Sequence, residues 1–464
     1  MRLDALFRPR SIAVVGASEK PTIGRRLIVS LDRLGYSGRV FPINPNYGSV
    51  LGRDCYPNFA DLPEASEVAA FCVGNRLILD AFTAAAERGI AAAVIYDGGF
   101  AERGDDGARL QQRIADICRE AQIALCGPNC MGILNPVERN STYLQEVRDP
   151  AGLAGNIGIV SQSGGFCLSL LSDVSRFGFS HIVSSGNEAA LTAADFLEYL
   201  IDDPQTAAIG CFIEAVRAPE QFVAALDRAA MRDKPVVVLK AGRTERSRRA
   251  IATHTAGDAG DPVAFSAMLR SHRAIEVDDR AEFTEVLAAC QGERRPAGRR
   301  MGVVTSSGGI AELMLDIADK ADLQLPPLAP DLKAELDRVC GYITGDGNPL
   351  DAWGNGTFAP NLDHALAALQ ASPDHDAIVL TRDNCLGQPM DQPDTALNYL
   401  QQFARAATAS DKPHYLLHTR AGAIDPAHVA CLREAGVAIV EGIREGLGAI
   451  DKLAGWSDWK RNAI

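Results

Sequence analysis

The sequence predicts an α/β protein of doubly wound parallel sheets in three successive blocks, the last two being copies of one another. Three observations carry this. Short β-branched runs alternate with longer amphipathic segments along the chain, the pattern of strand–helix–strand units around a parallel sheet. The strands are continuous apolar runs rather than alternating ones, so helices must cover both faces of each sheet. Finally, Gly158-Ile-Val-Ser-Gln-Ser-Gly-Gly-Phe166 aligns without a gap on Gly302-Val-Val-Thr-Ser-Ser-Gly-Gly-Ile310, 144 residues further on. A length of 464 residues agrees, since roughly 150 residues per domain gives about three domains.

The first block, residues 1–145, has expected strands at 11–15, 40–43, 69–73 and 92–96. The second, 146–293, has them at 157–160, 182–184, 208–213 and 235–239. A polar, proline-containing stretch from Gln291 to Arg300 then leads into the third, 294–464, with strands at 302–305, 377–380, 414–418 and 438–440. Ligands of open α/β sheets bind outside the carboxyl ends of the strands, so glycines that follow strands mark the candidate sites.

Composition excludes several function classes. Hydrophobic residues at 47% and charged residues at 23% describe a globular chain rather than a fibre or a disordered one. A formal net charge of -13 disfavours nucleic acid as a partner. No apolar run approaches the roughly 18 residues that span a bilayer, so no membrane insertion is expected. The apolar run Ser11 to Val15 follows two arginines but is too short for a secretion signal and reads as a buried strand. Eleven cysteines, scattered without a Cys-x-x-Cys pair, fit reduced core thiols in a cytoplasmic protein without structural zinc.

In each repeat a strand runs into Ser-Gly-Gly and then a helix. Backbone N–H groups at the helix start face the strand exit, glycine permits close approach, and the helix dipole favours an anion. Ser161, Ser163, Gly164 and Gly165 in the first copy, and Ser306, Ser307, Gly308 and Gly309 in the second, are therefore candidate phosphate ligands. A tight turn chosen only for packing is the alternative. A third glycine turn, Gly16 to Gly24, follows the first strand. Its spacing is not Gly-x-Gly-x-x-Gly, and the second strand runs into Pro42-Ile-Asn-Pro45 instead of ending in an acid, which disfavours a nicotinamide dinucleotide. Ser18, Lys20 and Thr22 suit the phosphates of another adenine nucleotide, coenzyme A included, or serve structure alone.

His254 stands among small residues in an arginine-rich stretch without apolar partners at helical spacing, as a histidine on a mobile loop would. A neutral imidazole is a competent nucleophile if a carboxylate orients its other nitrogen, and Glu214, ending the apolar run 208–213, is the candidate. An exposed loop histidine and a surface carboxylate are the bland readings. No ligand spacing for a metal surrounds His254, and the four-residue separation of His414 and His418 falls on a strand. A serine hydrolase with Ser163 as nucleophile fails because Ser161 occupies the first glycine position of Gly-x-Ser-x-Gly.

Taken together, Leu6-Phe-Arg-Pro-Arg-Ser-Ile-Ala-Val-Val-Gly-Ala-Ser18, Pro42-Ile-Asn-Pro-Asn-Tyr47, Gly127-Pro-Asn-Cys-Met-Gly132, Ser161 to Gly165, Gly186-Asn-Glu188, His254-Thr255, Ser306 to Gly309 and Asn348-Pro-Leu-Asp351 closely resemble the NDP-forming acyl-CoA synthetases, relatives of succinyl-CoA synthetase, and specifically the α subunit or α half of the ADP-forming acetyl-CoA synthetase type. The resemblance implies a Rossmann-like CoA-binding domain followed by two duplicated flavodoxin-like parallel-sheet domains. It implies coenzyme A bound by Gly16, Ser18, Lys20, Thr22, Gly24, Pro42 and Asn44, with Asn129 and Cys130 toward the thiol end. It also implies transient phosphorylation of His254 supported by Glu214, with the two Ser-Gly-Gly helix starts converging on one phosphate. No segment before the end at Ile464 resembles an ATP-grasp module, so ATP/ADP and Mg2+ are expected through a separate ATP-grasp β subunit in an α2β2 hetero-oligomer, with a small carboxylic acid as substrate.

Two positions depart from the family pattern. Asn46 stands where lysine is frequent, and Gly257-Asp-Ala-Gly260 places Asp258 where an apolar residue is usual; its carboxylate either repels a phosphoryl group or faces solvent. The rival readings are a non-catalytic CoA or acyl-CoA sensor and a CoA-dependent transferase or lyase on the same domains.

Overall fold

A computed structural model of the chain describes residues 3–173, 176–254, 257–383, 386 and 393–462. The first sheet begins with β1 (Ser11–Val15) and β2 (Arg39–Ile43), which pair in parallel from Ser11↔Arg39 to Val15↔Ile43. A short hairpin, β3 (Ser49–Val50) and β4 (Arg53–Asp54), precedes β5 (Val68–Phe71), β6 (Ala92–Ile95) and β7 (Ala124–Cys126). The order is β2-β1-β5-β6-β7, all parallel. Every residue of β1, β5 and β6 is buried, as apolar runs covered on both faces should be. The helix Ile23–Leu34 illustrates the covering. Thr22 caps its start by accepting from Arg25 N, Gly35 ends it at φ 73, and Leu27, Ile28, Leu31 and Leu34 form its buried stripe. Each such side chain stabilises by roughly 1.5–3 kcal/mol when fully buried.

The second sheet opens earlier than the expected boundary at 145/146. β8 (Gly132–Asn135) and β9 (Asn140–Ser141) form a hairpin whose first strand runs antiparallel to β11 (Phe179–Ser184). With β10 (Ala154–Ser161), β12 (Ala208–Ile213), β13 (Val236–Lys240) and β14 (Ile275–Val277) the order is β14-β13-β12-β10-β11-β8-β9. The sheet is thus mixed rather than wholly parallel. A short turn joins β8 to β9, and such a connection can build only an antiparallel pair.

The third sheet comprises β15 (Met301–Thr305), β16 (Leu350–Asp351), β17 (Ala377–Thr381), β18 (His414–His418) and β19 (Ala438–Glu441), parallel in the order β16-β15-β17-β18-β19. By internal contacts the chain forms two units. One holds 1–174 and 178–276, with both earlier sheets; the other holds 175–177 and 277–464. The helix Arg280–Ala289, expected in the middle domain, belongs to the latter, and Phe283, Val286 and Leu287 on it are fully buried. Among the described residues no helix is long and apolar enough to cross a membrane.

One topological fact positions the site. In each sheet the strand ahead of a glycine turn, β1, β10 or β15, has neighbours on both sides that connect in opposite directions along the sheet. Those are switch points, where the carboxyl end of an open sheet leaves a crevice.

Candidate functional site

At the first switch point the backbone makes room. Gly16 has φ +85, and a methyl group there would lie 2.8 Å from Cys72 O; one on Gly24 would lie 2.9 Å from Gly16 O, so the helix start can seat against the turn. Ser18 Oγ accepts from Lys20 N at 3.0 Å and sits 3.2 Å from Tyr47 Oη, while Lys20 is exposed. Asn44 braces the loop, its Nδ2 donating to Ala17 O at 2.7 Å and its Oδ1 accepting from Asn46 N at 3.0 Å. Pro42, a candidate coenzyme contact, is buried within edge strand β2, where a residue lacking an N–H is tolerated.

Cys130 also differs from expectation. It is 5% exposed, and its thiol turns inward, donating to Ile95 O at 3.3 Å with Cys126 Sγ 4.0 Å away. The apolar interior of this turn claims the small thiol, and Asn129 is left as the outward-facing residue. Asn129, at φ 55, donates from Nδ2 to Asn187 Oδ1 at 3.2 Å. Two motifs distant in sequence meet here: a methyl group on Gly186 would lie 2.3 Å from Pro128 O, and Asn187 N donates to Pro128 O. Asn187 Nδ2 in turn donates to Glu102 Oε2 at 2.6 Å. Burial pushes the Glu102 carboxyl up, but donation from Asn187 and from the Gly99 and Phe100 amides outweighs it and holds the group below the usual range. Sequence reasoning missed Glu102.

The two Ser-Gly-Gly turns share one wiring. In the first, Ser163 N donates to Ser161 Oγ at 3.1 Å, and Ser163 Oγ caps the helix Gly164–Leu170 by accepting from Phe166 N at 3.3 Å. In the second, Ser307 N donates to Thr305 Oγ1 at 3.2 Å, and Ser307 Oγ caps Gly308–Ala318 by accepting from Ile310 N at 3.4 Å. Thr305 thus takes the part of Ser161. Ser306, singled out from sequence, falls opposite Gln162 instead.

Gln162 is the residue that assembles the rest. It is buried, and its Oε1 accepts from both Glu214 N (2.7 Å) and Ala215 N (2.9 Å), while its Nε2 donates to Ala215 O (2.7 Å) and Glu188 Oε1 (2.9 Å). The turn after β10 and the end of β12 are locked together. Ser185 Oγ donates to the same Glu188 oxygen at 2.8 Å, and Arg217 Nε stands 3.8 Å from the other. Burial pushes the Glu188 carboxyl up to about 7, against the donors that favour its ionised form. Glu214 itself is only 7% exposed.

His254 does not stand on a loop. It is the last residue of the helix Glu245–His254, begun by Thr244 and Ser247, which bond reciprocally (Ser247 N to Thr244 Oγ1 at 3.2 Å, Thr244 N to Ser247 Oγ at 3.0 Å). Good helix formers with an acid in the first turn outweigh the small residues that suggested a loop. The imidazole and Thr255 lie outside the described side chains and residues, respectively. The helix docks against Gly242, where a methyl group would lie 2.7 Å from Ile251 Cδ1 and 2.8 Å from Ala259 Cβ. Asp258 is exposed, its Oδ1 accepting from Gly260 N at 2.9 Å, which settles its carboxylate toward solvent.

With this geometry in hand, the comparisons with known proteins become specific. Residues 10–136 match the CoA binding domain model, and residues 154–290 match the succinyl-CoA ligase like flavodoxin domain model. The chain is 30% identical to the α subunit of acetate–CoA ligase [ADP-forming] II of Pyrococcus furiosus, over 75% of this chain and 76% of that one. The chain belongs to the ADP-forming acyl-CoA synthetase family. It is also 34% identical to a trans-feruloyl-CoA synthase of an unknown prokaryotic organism, over 78% of this chain. The chain spans about half the length of several curated relatives of this kind, 52% in the feruloyl case. Among solved structures, the acetyl-coenzyme A synthetase 1 of Ca. Korarchaeum cryptofilum, in complex with phosphate and ADP, superposes with a TM-score of 0.87 at 26% identity, covering 100% of this chain and 99% of that one. In synthetase terms, the CoA-binding match spans Gly16 to Cys130, and the ligase-like match spans Ser161, Gln162, Glu188, Glu214 and His254.

Proposed function

We propose that this chain is the α subunit of an NDP-forming acyl-CoA synthetase that joins a carboxylic acid to coenzyme A, with a separate ATP-grasp β subunit supplying the nucleotide. The observation that carries the reading is the matched wiring of the two Ser-Gly-Gly turns, each at a switch point. One such turn is a common device; a duplicated pair, one of them locked by Gln162 to the strand end bearing Glu214, suits a phosphoryl group handed between partners.

Three transfers follow. His254, oriented by Glu214, takes the γ-phosphoryl group of ATP on an imidazole nitrogen, releasing ADP. The substrate carboxylate oxygen then attacks that phosphorus, breaking the N–P bond and giving an acyl phosphate. The CoA thiolate finally attacks the acyl carbon and expels inorganic phosphate, whose leaving ability is what the carboxylate lacked. The serine hydroxyls and helix-start amides of the turn after β10 hold the phosphoryl oxygens. Coenzyme A takes the first switch point in this reading, with Gly16, Ser18, Lys20, Thr22 and Gly24 toward its phosphates and Asn129 toward its thiol end; the CoA binding domain match over 10–136 supports it. Mg2+ enters with the nucleotide on the partner.

The test is His254→Ala. Incubation with acyl-CoA, inorganic phosphate and Mg2+ should place base-stable, acid-labile phosphate on the wild type. In H254A that label should fall more than a hundredfold while calorimetric CoA affinity stays unchanged; a fully labelled H254A rejects the mechanism.

A further inference from the structure

Lys240 closes β13, a strand whose other residues are all apolar and buried, and it is itself only 4% exposed. A buried ammonium is costly unless something in its surroundings requires it. Among the described residues no carboxylate stands at ion-pair distance from it. Nζ donates to Glu214 O at 2.7 Å and to Ala241 O, two carbonyls that take two of its three protons, and it stands 5.5 Å from the centre of the Phe265 ring. The same ammonium lies at the dock of the histidine-bearing helix. A methyl group on Gly242 would meet Lys240 Nζ at 3.5 Å together with Ile251 of that helix and Ala259 beyond it.

Glu214 is therefore held on both sides of its peptide units. Gln162 accepts from its N–H, and Lys240 donates to its carbonyl. Burial, with Arg243 and Arg248 acting in the same direction, outweighs Glu214 and Asp258, which favour the Lys240 ammonium, and brings its titration down to about 8. A cation held so close to losing its proton is stabilised by any anion brought alongside.

We propose that Lys240 is a positioning residue of the phosphoryl-transfer site, fixing the strand end of Glu214 and supplying the positive charge that balances a phosphoryl group arriving on the helix ending at His254. The proposal rests on the phosphohistidine reading and adds to it a residue and a proton: phosphorylation draws Lys240 fully into its ammonium form. Neither a purely structural lysine nor an exposed one would do this.

The experiment uses the full chain with acetyl-, isobutyryl- or phenylacetyl-CoA, inorganic [32P]phosphate and Mg2+, with acid-labile label read from pH 6.5 to 9.5. CoA affinity is measured on the same preparations. Wild-type label should be full at pH 7 and fall as pH rises through the range in which the ammonium is lost. K240M should carry at least tenfold less label at pH 7 with no such fall, and K240R should regain label and hold it flat to pH 9.5. K240M labelled like the wild type with the same pH profile overturns the proposal and leaves the phosphohistidine reading intact. If K240M loses CoA binding through misfolding, K240R decides: a flat profile supports the proposal and a wild-type profile overturns it. A wild type that binds CoA yet takes no label from any of the three acyl-CoAs overturns both.

Discussion

The two Ser-Gly-Gly turns have the same hydrogen-bond wiring and different surroundings. After β10 the residue between the capping hydroxyls is Gln162, which is buried and bonds to the Glu214–Ala215 backbone and to Glu188. After β15 the corresponding residue is Ser306, half-buried, and the nearest atom to a methyl group on Gly308 would be Asp351 Oδ2 at 3.7 Å. The first turn is thus wired into an acid-bearing strand end, while the second has the Asp351 carboxylate near Gly308. The hydrogen-bond wiring is shared, and divergence of single side chains gave each copy its own electrostatic setting.

This contrast can be broken directly. The largest effect is expected from Gln162→Ala, which releases Glu214 and Ala215 and leaves buried amides without an acceptor; turnover should fall ~100-fold, the scale of one preorganised donor or acceptor in an active site. Ser306→Ala should cost less than a tenth of that. Equal losses in steady-state kinetics would mean the two turns are interchangeable. Asp351→Asn should act in the opposite direction, lowering the KM for phosphate about threefold by removing a partly exposed like charge; an unchanged KM would place the phosphate elsewhere.

The smallest effect sharpens the role of Glu188. Its folded-state titration near 7 lies above the ordinary 4.5, so the native state holds the proton more tightly than the unfolded chain does. That stability is present below pH 4.5 and is lost as pH rises through about 7. The wild-type Tm should therefore drop by a few degrees between pH 5 and pH 8 relative to Glu188→Gln, measured by scanning calorimetry. Parallel curves would show that Glu188 is ionised across that range.

Much of this was legible from residues alone. The strands expected at 11–15, 208–213 and 414–418 match β1, β12 and β18 to the residue, because buried parallel strands read as unbroken apolar runs bounded by breakers. The glycine turns were legible too, since a strand followed by Ser-Gly-Gly needs no tertiary partner to form its cap. Gln162 and Lys240 were not found, although each left a trace: a polar residue at the end of an apolar run. Glu102 left none, because its role depends on Asn187, 85 residues away.

The sequence by itself determined the three sheets, the repeat, the glycine turns and the family. Those depend on local periodicity, on backbone freedom at glycine and on short-range capping, all written in consecutive residues. Only the tertiary structure decided that Cys130 turns inward, that Pro42 is buried in β2, that 132–141 joins the second sheet and that 280–289 packs with the third. It alone brought Gln162, Glu188, Glu214 and Lys240 together. Burial and long-range hydrogen bonding are properties of where strand ends meet, and that meeting is set by the packing of whole sheets rather than by any local run of residues.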